Sequence, residues 1–208
     1  MFLALHYVWY NRYCEQGDGA PADVHPSSIV KLGATKVNFN QRIPYPSKDM
    51  SQNPEEYDLL KGILSPFSHY LDSQLQRLLP EEYTTLSHYA DTLPLHSVAP
   101  AYPFTGFVLN FCVSTSAHRD PGDQSVCAVM PFGDFTGGQL CLYEAGLVFD
   151  MQPGDIIIFP SAKITHFNLH FDGTRGSFVF QTDRKFEDWI TKRNGWPHIV
   201  EHSEHIEL

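Results

Sequence analysis

Residues 107–181 break into short β-branched and aromatic runs, each ended by a turn signal, and no other feature constrains the fold as much. The runs at 107–113, 125–130, 139–143, 147–149, 155–159, 166–170 and 176–181 are seven strand candidates within about eighty residues. Strands at that density mean a sandwich or a barrel.

Ahead of Pro94 the apolar period is different. Tyr57, Leu60, Ile63 and Leu64 recur at helical spacing, and Pro66 opens a second run through Phe67, Leu71, Leu75, Leu78 and Leu79. Pro80-Glu81-Glu82 starts a third helix, with proline in its first turn and acids near the positive end of the helix dipole. These stripes are expected to bury against a sheet rather than to bind anything. Segments 16–28 and 40–54 read as loops, 29–39 as a strand near a sheet edge, and 184–193 as a last helix stopped by Asn194-Gly195. The first dozen residues read as an aromatic-rich helix packed on the domain, or as the start of an excised piece. The expected architecture is α+β in one domain, 1–208: helical and loop support over 1–95, a β core over 96–183, and a helix with a tail over 184–208.

Composition limits the partners. The chain has 208 residues, 42% of them hydrophobic, enough for one sizeable core. Its 14 basic and 24 acidic residues give a net charge of −10, which disfavours an extended phosphate-tracking surface but leaves room for a small basic mouth. Cys14, Cys112, Cys127 and Cys141 form no CxxC pair, and three lie in strand-like runs where a thiol behaves as a small hydrophobe. That suits a reducing, intracellular setting, nuclear or cytoplasmic. No run approaches the ~18 apolar residues of a membrane span, so no membrane association is expected.

The chemistry centres on His118-Arg119-Asp120 and the later His166. Residues 118 and 120 project to one face at a strand end while Arg119 points away. Two imidazoles and one carboxylate leave a metal with open positions, as non-haem Fe(II) oxygenases require. HxD alone is a common triplet. Its company is Arg175, nine residues beyond His166, followed by Ser177. A strand leaving His166, turning at Asp172-Gly173 and returning, would bring back a guanidinium whose fork grips a carboxylate through two parallel hydrogen bonds. Taken singly, Arg175 reads as a hairpin arginine and Ser177 as a turn residue. Iron, a carboxylate-clamping arginine and a nearby hydroxyl together describe a 2-oxoglutarate site.

The order HxD, then GDFTGGQL from Gly133 to Leu140, GDIIIFPS from Gly154 to Ser161, THFN from Thr165 to Asn168, and finally Arg175-Gly-Ser, resembles the Fe(II)/2-oxoglutarate-dependent dioxygenases. More narrowly it is similar to the fungal group related to the TET methylcytosine dioxygenases and the base J (JBP) thymidine hydroxylases. The likeness covers roughly residues 104–183 and weakens in the preceding helices and the 189–196 tail. It implies a double-stranded β-helix, the cupin-like jelly roll, with N-terminal supporting helices. It implies iron on His118, Asp120 and His166, the distal carboxylate of 2-oxoglutarate on Arg175, and Ser177 supporting that pairing. Asn110, on the strand before the HxD, reads either as a further cosubstrate contact or as a buried amide that satisfies neighbouring backbone. O2 would be the oxidant and ascorbate a reductant, and the product would be a hydroxylated C–H, a nucleobase methyl group of DNA in the TET/JBP-like reading.

Two features depart from the pattern. TET-type chains read HxDxxN, and the last position here is Asp123, which when ionised offers acceptors only. Arg175 also follows His166 at a spacing closer to prolyl-hydroxylase-type enzymes. A protein side chain or small metabolite therefore stays open as substrate, and a non-catalytic cupin-like binding module as the non-enzyme alternative. Asp123 and Phe132 are the substrate-side candidates, with Phe135 and Tyr143 completing an aromatic wall. His69, His88 and His96 read as structural or exposed, and His198, His202 and His205 as a solvated terminal cluster.

Overall fold

A computed structural model describes residues 3–14, 26 and 42–196. Its strands are β1 (Leu3–Tyr10), β2 (Tyr45–Pro46), β3 (Gly106–Phe111), β4 (Cys127–Gly137), β5 (Leu140–Leu142), β6 (Leu147–Phe149), β7 (Ile157–Phe159), β8 (His166–Asn168) and β9 (Phe171–Gln181). They form a six-stranded sheet in the order β2-β1-β3-β9-β4-β7 and a three-stranded sheet in the order β6-β5-β8. Every named pair is antiparallel. The helices are α1 (Lys48–Gln52), α2 (Pro54–Leu78), α3 (Pro80–Asp91) and α4 (Phe186–Lys192). Helix is thus combined with an antiparallel double sheet of jelly-roll type, and the two sheets do not close into a barrel.

The two faces of the large sheet divide the labour, because alternate residues of a strand point to opposite sides. One register row runs Tyr7, Phe107, Phe180, Ala128; these four are buried with Leu64, Leu71, Leu75 and Leu86 from α2 and α3. The neighbouring row, His6, Val108, Val179, Val129, belongs to the other face. There Cys127 packs with Leu140, Leu142, Met151 and Phe159 to join the large sheet to the small one. The helices therefore seal the outer face and leave the inner one for the site.

Several expectations are corrected. The first dozen residues form β1, not a helix. His6 and Val8 go to one face and Tyr7 and Trp9 to the other, and residues 3–8 pair with β3. The 40–54 loop holds β2 and α1, which Ser47 caps by accepting from Met50 N–H. Pro66 lies inside α2 rather than opening a second helix. Asp172-Gly173, read as a turn, lies in β9, and 133–137 lies in β4, the two strands pairing from Ala128↔Phe180 to Gly137↔Phe171. Gly133 (φ +112) and Gly173 (φ +97) make this possible. A Cβ on either would sit 2.2–2.3 Å from a backbone oxygen across the pair, Thr174 O or Asp134 O, so only glycine lets the two strands run on. At Leu169-His170 the chain passes without reversing from β8 in the small sheet to β9 in the large one, opposite Gly138 and Gln139. The 29–39 strand, all of the 16–28 loop except Pro26, and His198, His202 and His205 lie outside the described residues. Among the described residues no helix is long and apolar enough to cross a membrane.

Candidate metal and cosubstrate site

His118 and His166 are held face to face by the backbone. His118 N–H donates to His166 O at 3.1 Å, and His166 N–H donates to His118 O at 2.9 Å. Each ring also gives Nδ1 to a carbonyl oxygen two residues earlier, Ser116 O at 2.8 Å and Ile164 O at 3.0 Å. A carbonyl only accepts, so both rings carry a proton on Nδ1 and turn Nε2 towards Asp120. Asp120 completes the set, its two oxygens lying 3.8 Å from His118 Nε2 and 3.3 Å from His166 Nε2. All three ligand atoms fall within 4.8 Å of one another. Two oriented imidazoles and a carboxylate fit a divalent iron with open coordination positions. Burial opposes the charged form of His166, but the Asp120 hydrogen bond, the Ile164 carbonyl and the nearby carboxylates outweigh it and raise its pKa.

The 120–123 segment turns tightly, with Asp123 N–H donating to Asp120 O at 3.0 Å around Pro121-Gly122. It is pinned where Asp120 N–H meets Ser161 O at 3.1 Å. The buried Ser161 hydroxyl donates to Asp123 Oδ2 at 2.7 Å. Burial pushes the Asp123 carboxyl up to about 7, against the pull of that hydrogen bond. The departure from the TET-type pattern is thus an interior acid tied to Ser161, bordering the cavity from beneath the metal-ligand turn.

That cavity is about 520 Å³ and is lined by His118, Asp120 and His166 together with Arg175, Ser177 and Asn110. All six sequence candidates for metal and cosubstrate meet in one space. Arg175 is 4% exposed, and burial works against its charge. Its guanidinium lies 5.3 Å from the Phe135 ring and 5.9 Å from the Phe171 ring, while its Nε is buried without a hydrogen-bond partner. Among the described residues no carboxylate pairs with it, and a buried guanidinium of this kind can take up an anion. Gly138 (φ +72) makes the room: a Cβ there would stand 3.1 Å from Arg175 Nε. Ser177 and Asn110 are register partners across β9 and β3, next along the floor from Arg175.

Phe132 does not reach this space. Its ring packs on Phe178 at 5.0 Å and Phe111 at 5.8 Å, over Gly176. Tyr143 is 73% exposed. The aromatic wall therefore reduces to Phe135, which faces Arg175.

Among the cavity residues that went unrecognised in the sequence are His6, Tyr10 and Arg12. His6 Nδ1 and Tyr10 Oη are 3.1 Å apart, the Arg12 guanidinium lies 4.2 Å from the centre of the Tyr10 ring, and Arg12 Nε donates to the buried Asp183 at 3.3 Å. Burial lowers the His6 pKa. The signal was the two-residue period through 6, 8, 10 and 12, obscured by the aromatics Tyr7 and Trp9 between them. With Gln181 these residues form the end of the cavity remote from Arg175 along β9.

A family model described as the oxygenase domain of the 2OGFeDO superfamily, Tet_JBP, matches residues 37–180. No curated protein matches the chain closely enough to count as a relative. Among solved structures, NgTET1 in complex with 5mC DNA is similar at 19% identity and a TM-score of 0.55, over 70% of this chain and 57% of that one. An oxidoreductase of the 2OG-Fe(II) oxygenase family from Burkholderia pseudomallei aligns at 22% identity and a TM-score of 0.33, over 39% and 44%. The chain thus spans little more than half of the NgTET1 chain, with which it shares a fold.

Proposed function

This chain belongs to the Tet_JBP family of oxygenase domains in the 2OGFeDO superfamily, and we propose that it is an Fe(II)- and 2-oxoglutarate-dependent dioxygenase that hydroxylates a nucleobase methyl group in DNA. The observation that carries the reading is the buried, unpaired Arg175 in the same cavity as the His118, Asp120 and His166 donors. In this reading those three residues hold iron, Arg175 grips the distal carboxylate of 2-oxoglutarate, and Ser177 and Asn110 orient it. When bound, iron and 2-oxoglutarate supply the activation of O2 needed to break a C–H bond, with succinate and CO2 as coproducts.

The chain's own contribution is placement. The two Nδ1 hydrogen bonds fix how both imidazoles are aimed. Val108, Val129 and Val179 give the middle of the cavity apolar walls that limit water. His6, Tyr10, Arg12 and Gln181 stand at the other end from Arg175, where the group to be oxidised would be oriented. The NgTET1 likeness supports a methylated base in DNA as that group.

The test is succinate release from 2-oxoglutarate with Fe(II), with His118→Ala as control; no iron-dependent succinate above that control would sink the oxygenase reading. Duplexes containing methylcytosine or thymine, free nucleobases and peptides are then examined for a mass gain of one oxygen. Asp123 favours a second reading, because an acid stands where TET-type chains carry an amide: a 2-oxoglutarate oxygenase of a protein side chain or small metabolite. Product from peptides or metabolites alone would decide for it. A binding module without turnover fits less well, since the full donor set and the buried arginine are both retained.

A further inference from the structure

Arg119 stands between two ligands yet turns away from the cavity, and it meets the residue that precedes the third. We propose that Arg119, Glu144 and Thr165 form a clasp that positions His118 and His166, so that its integrity sets metal affinity. This rests on the reading of His118, Asp120 and His166 as metal ligands.

The clasp is a closed triangle. Glu144, in the turn between β5 and β6, accepts from Thr165 N–H at 2.6 Å, from Thr165 Oγ1 at 2.6 Å and from Arg119 Nη2 at 2.5 Å. Arg119 Nε closes it by donating to Thr165 Oγ1 at 3.0 Å. Thr165 N–H belongs to the residue before His166, and Arg119 is the residue after His118, so the triangle grips both imidazole-bearing segments just beside their reciprocal backbone pair. On the small sheet, Tyr143 N–H adds a bond to Thr165 O at 2.9 Å.

An isolated exposed ion pair would contribute little. Here one carboxylate gathers three donors, and its pKa is held down at about 2, first by the Thr165 hydroxyl and then by Arg119. Metal sites need their donors held to within about 0.5 Å, and the two imidazoles come from distant parts of the chain. Outside the triangle, these two segments are joined locally by the two His118–His166 backbone bonds and by Asp120 N–H to Ser161 O. Loss of the clasp therefore lets one imidazole drift from the other while the core under Phe107 and Phe180 stays intact.

The full chain, stripped of metal, is titrated with Co(II) and followed by visible absorption, with metal-free thermal unfolding measured in parallel. Thr165→Val removes the hydroxyl without changing any charge. It is expected to weaken Co(II) binding by about tenfold to a hundredfold and to alter the absorption envelope, whereas Thr165→Ser stays within about threefold of wild type. Glu144→Gln should weaken binding in the same range, and Arg119→Gln, an exposed change, carries that expectation if Thr165→Val does not fold. Wild-type Co(II) affinity in Thr165→Val or, failing it, in Arg119→Gln overturns the clasp, as does equal weakening by Thr165→Ser. Absence of Co(II) binding to the wild type overturns the ligand reading itself, and the clasp with it.

Discussion

His118 and His166 exchange both of their backbone hydrogen bonds, at 3.1 and 2.9 Å, an isolated antiparallel bridge between a segment outside the sheets and the first residue of β8. One imidazole is thereby registered to the other before any metal arrives. Replacing either ring by alanine keeps the bridge and removes a donor. Both His118→Ala and His166→Ala should weaken binding of Mn(II) or Co(II) by more than ~100-fold, beyond the range for changes outside the ligand set. Their unfolding midpoints without metal should stay near wild type, because the exchanged bonds are main-chain; equilibrium metal titration beside thermal unfolding checks both.

Arg175 and Gly138 yield a paired expectation for the cosubstrate. Lysine at 175 keeps the charge but loses the fork that grips two oxygens, and a hydrogen bond to a charged group contributes roughly 1.5–3 kcal/mol. Arg175→Lys should therefore raise the 2-oxoglutarate KM by at least about tenfold. Gly138→Ala, whose Cβ would press on Arg175 Nε at 3.1 Å from a left-handed φ of +72°, should do so without touching any charge and should cost about 1–2 kcal/mol of stability. Calorimetric binding of 2-oxoglutarate to the Mn(II) form separates these effects from turnover.

The candidate site was legible in the sequence because most of its members sit beside a strong local signal: His118 and Asp120 share a two-residue spacing and His166 follows an apolar strand, whereas the glycine ahead of Arg175 read as a turn and lies within β9. What stayed hidden depends on long-range pairing. A run such as HYVWYNR has aromatics on both parities, so β1 cannot be told from a helix until β3 supplies its partner. The burial of Asp123 rests on Ser161 and Asp183, neither a sequence neighbour. Gly133 of β4 and Gly173 of β9 follow the residue pattern of turns, whereas here they serve close strand contact.

Gly106 is where β1 can be detached. A Cβ at this position would lie 2.4 Å from Val8 Cα and 2.7 Å from Tyr7 O, both backbone atoms that cannot swing away. Gly106→Ala should destabilise the protein by about 1–3 kcal/mol or more and loosen residues 3–10 selectively. Hydrogen exchange would then rise across β1 while β4 and β9 remain protected. Uniform loss of protection would mean that β1 is integral to the whole core.

Asp123 makes stability depend on pH. Its folded pKa of about 7 lies above the ~3.9 of an unfolded aspartate. Between these values the folded protein holds a proton that the unfolded chain has released, so this group's contribution falls as pH rises through the window and levels off above it. Asp123→Asn cannot titrate and still accepts from Ser161. In metal-free protein the variant should match wild type near pH 4 and gain on it towards pH 8, by a few kcal/mol at most, with roughly 4 as the ceiling. A difference in unfolding free energy that is constant from pH 4 to 8 would contradict this.

Pro66 interrupts the longest helix. Inside α2 it has no N–H to give to the carbonyl of Gly62, four residues back, and its ring crowds that carbonyl. Gly62 meets no heavy atom within 4 Å of where a Cβ would stand, and both Gly62 and Pro66 are exposed, so they lie on the outward side of the helix. Pro66→Ala restores the bond and removes the crowding, worth up to ~3 kcal/mol, less about 0.4–1 kcal/mol for the freer unfolded chain. The net expectation is stabilisation of roughly 1–2 kcal/mol, read as a higher urea midpoint with an unchanged slope. Since Leu64 and Leu71 on either side remain anchored in the core under the sheet, 2-oxoglutarate affinity should not change. A loss of stability would mean instead that the proline sets a bend on which the α2 contact with the sheet depends.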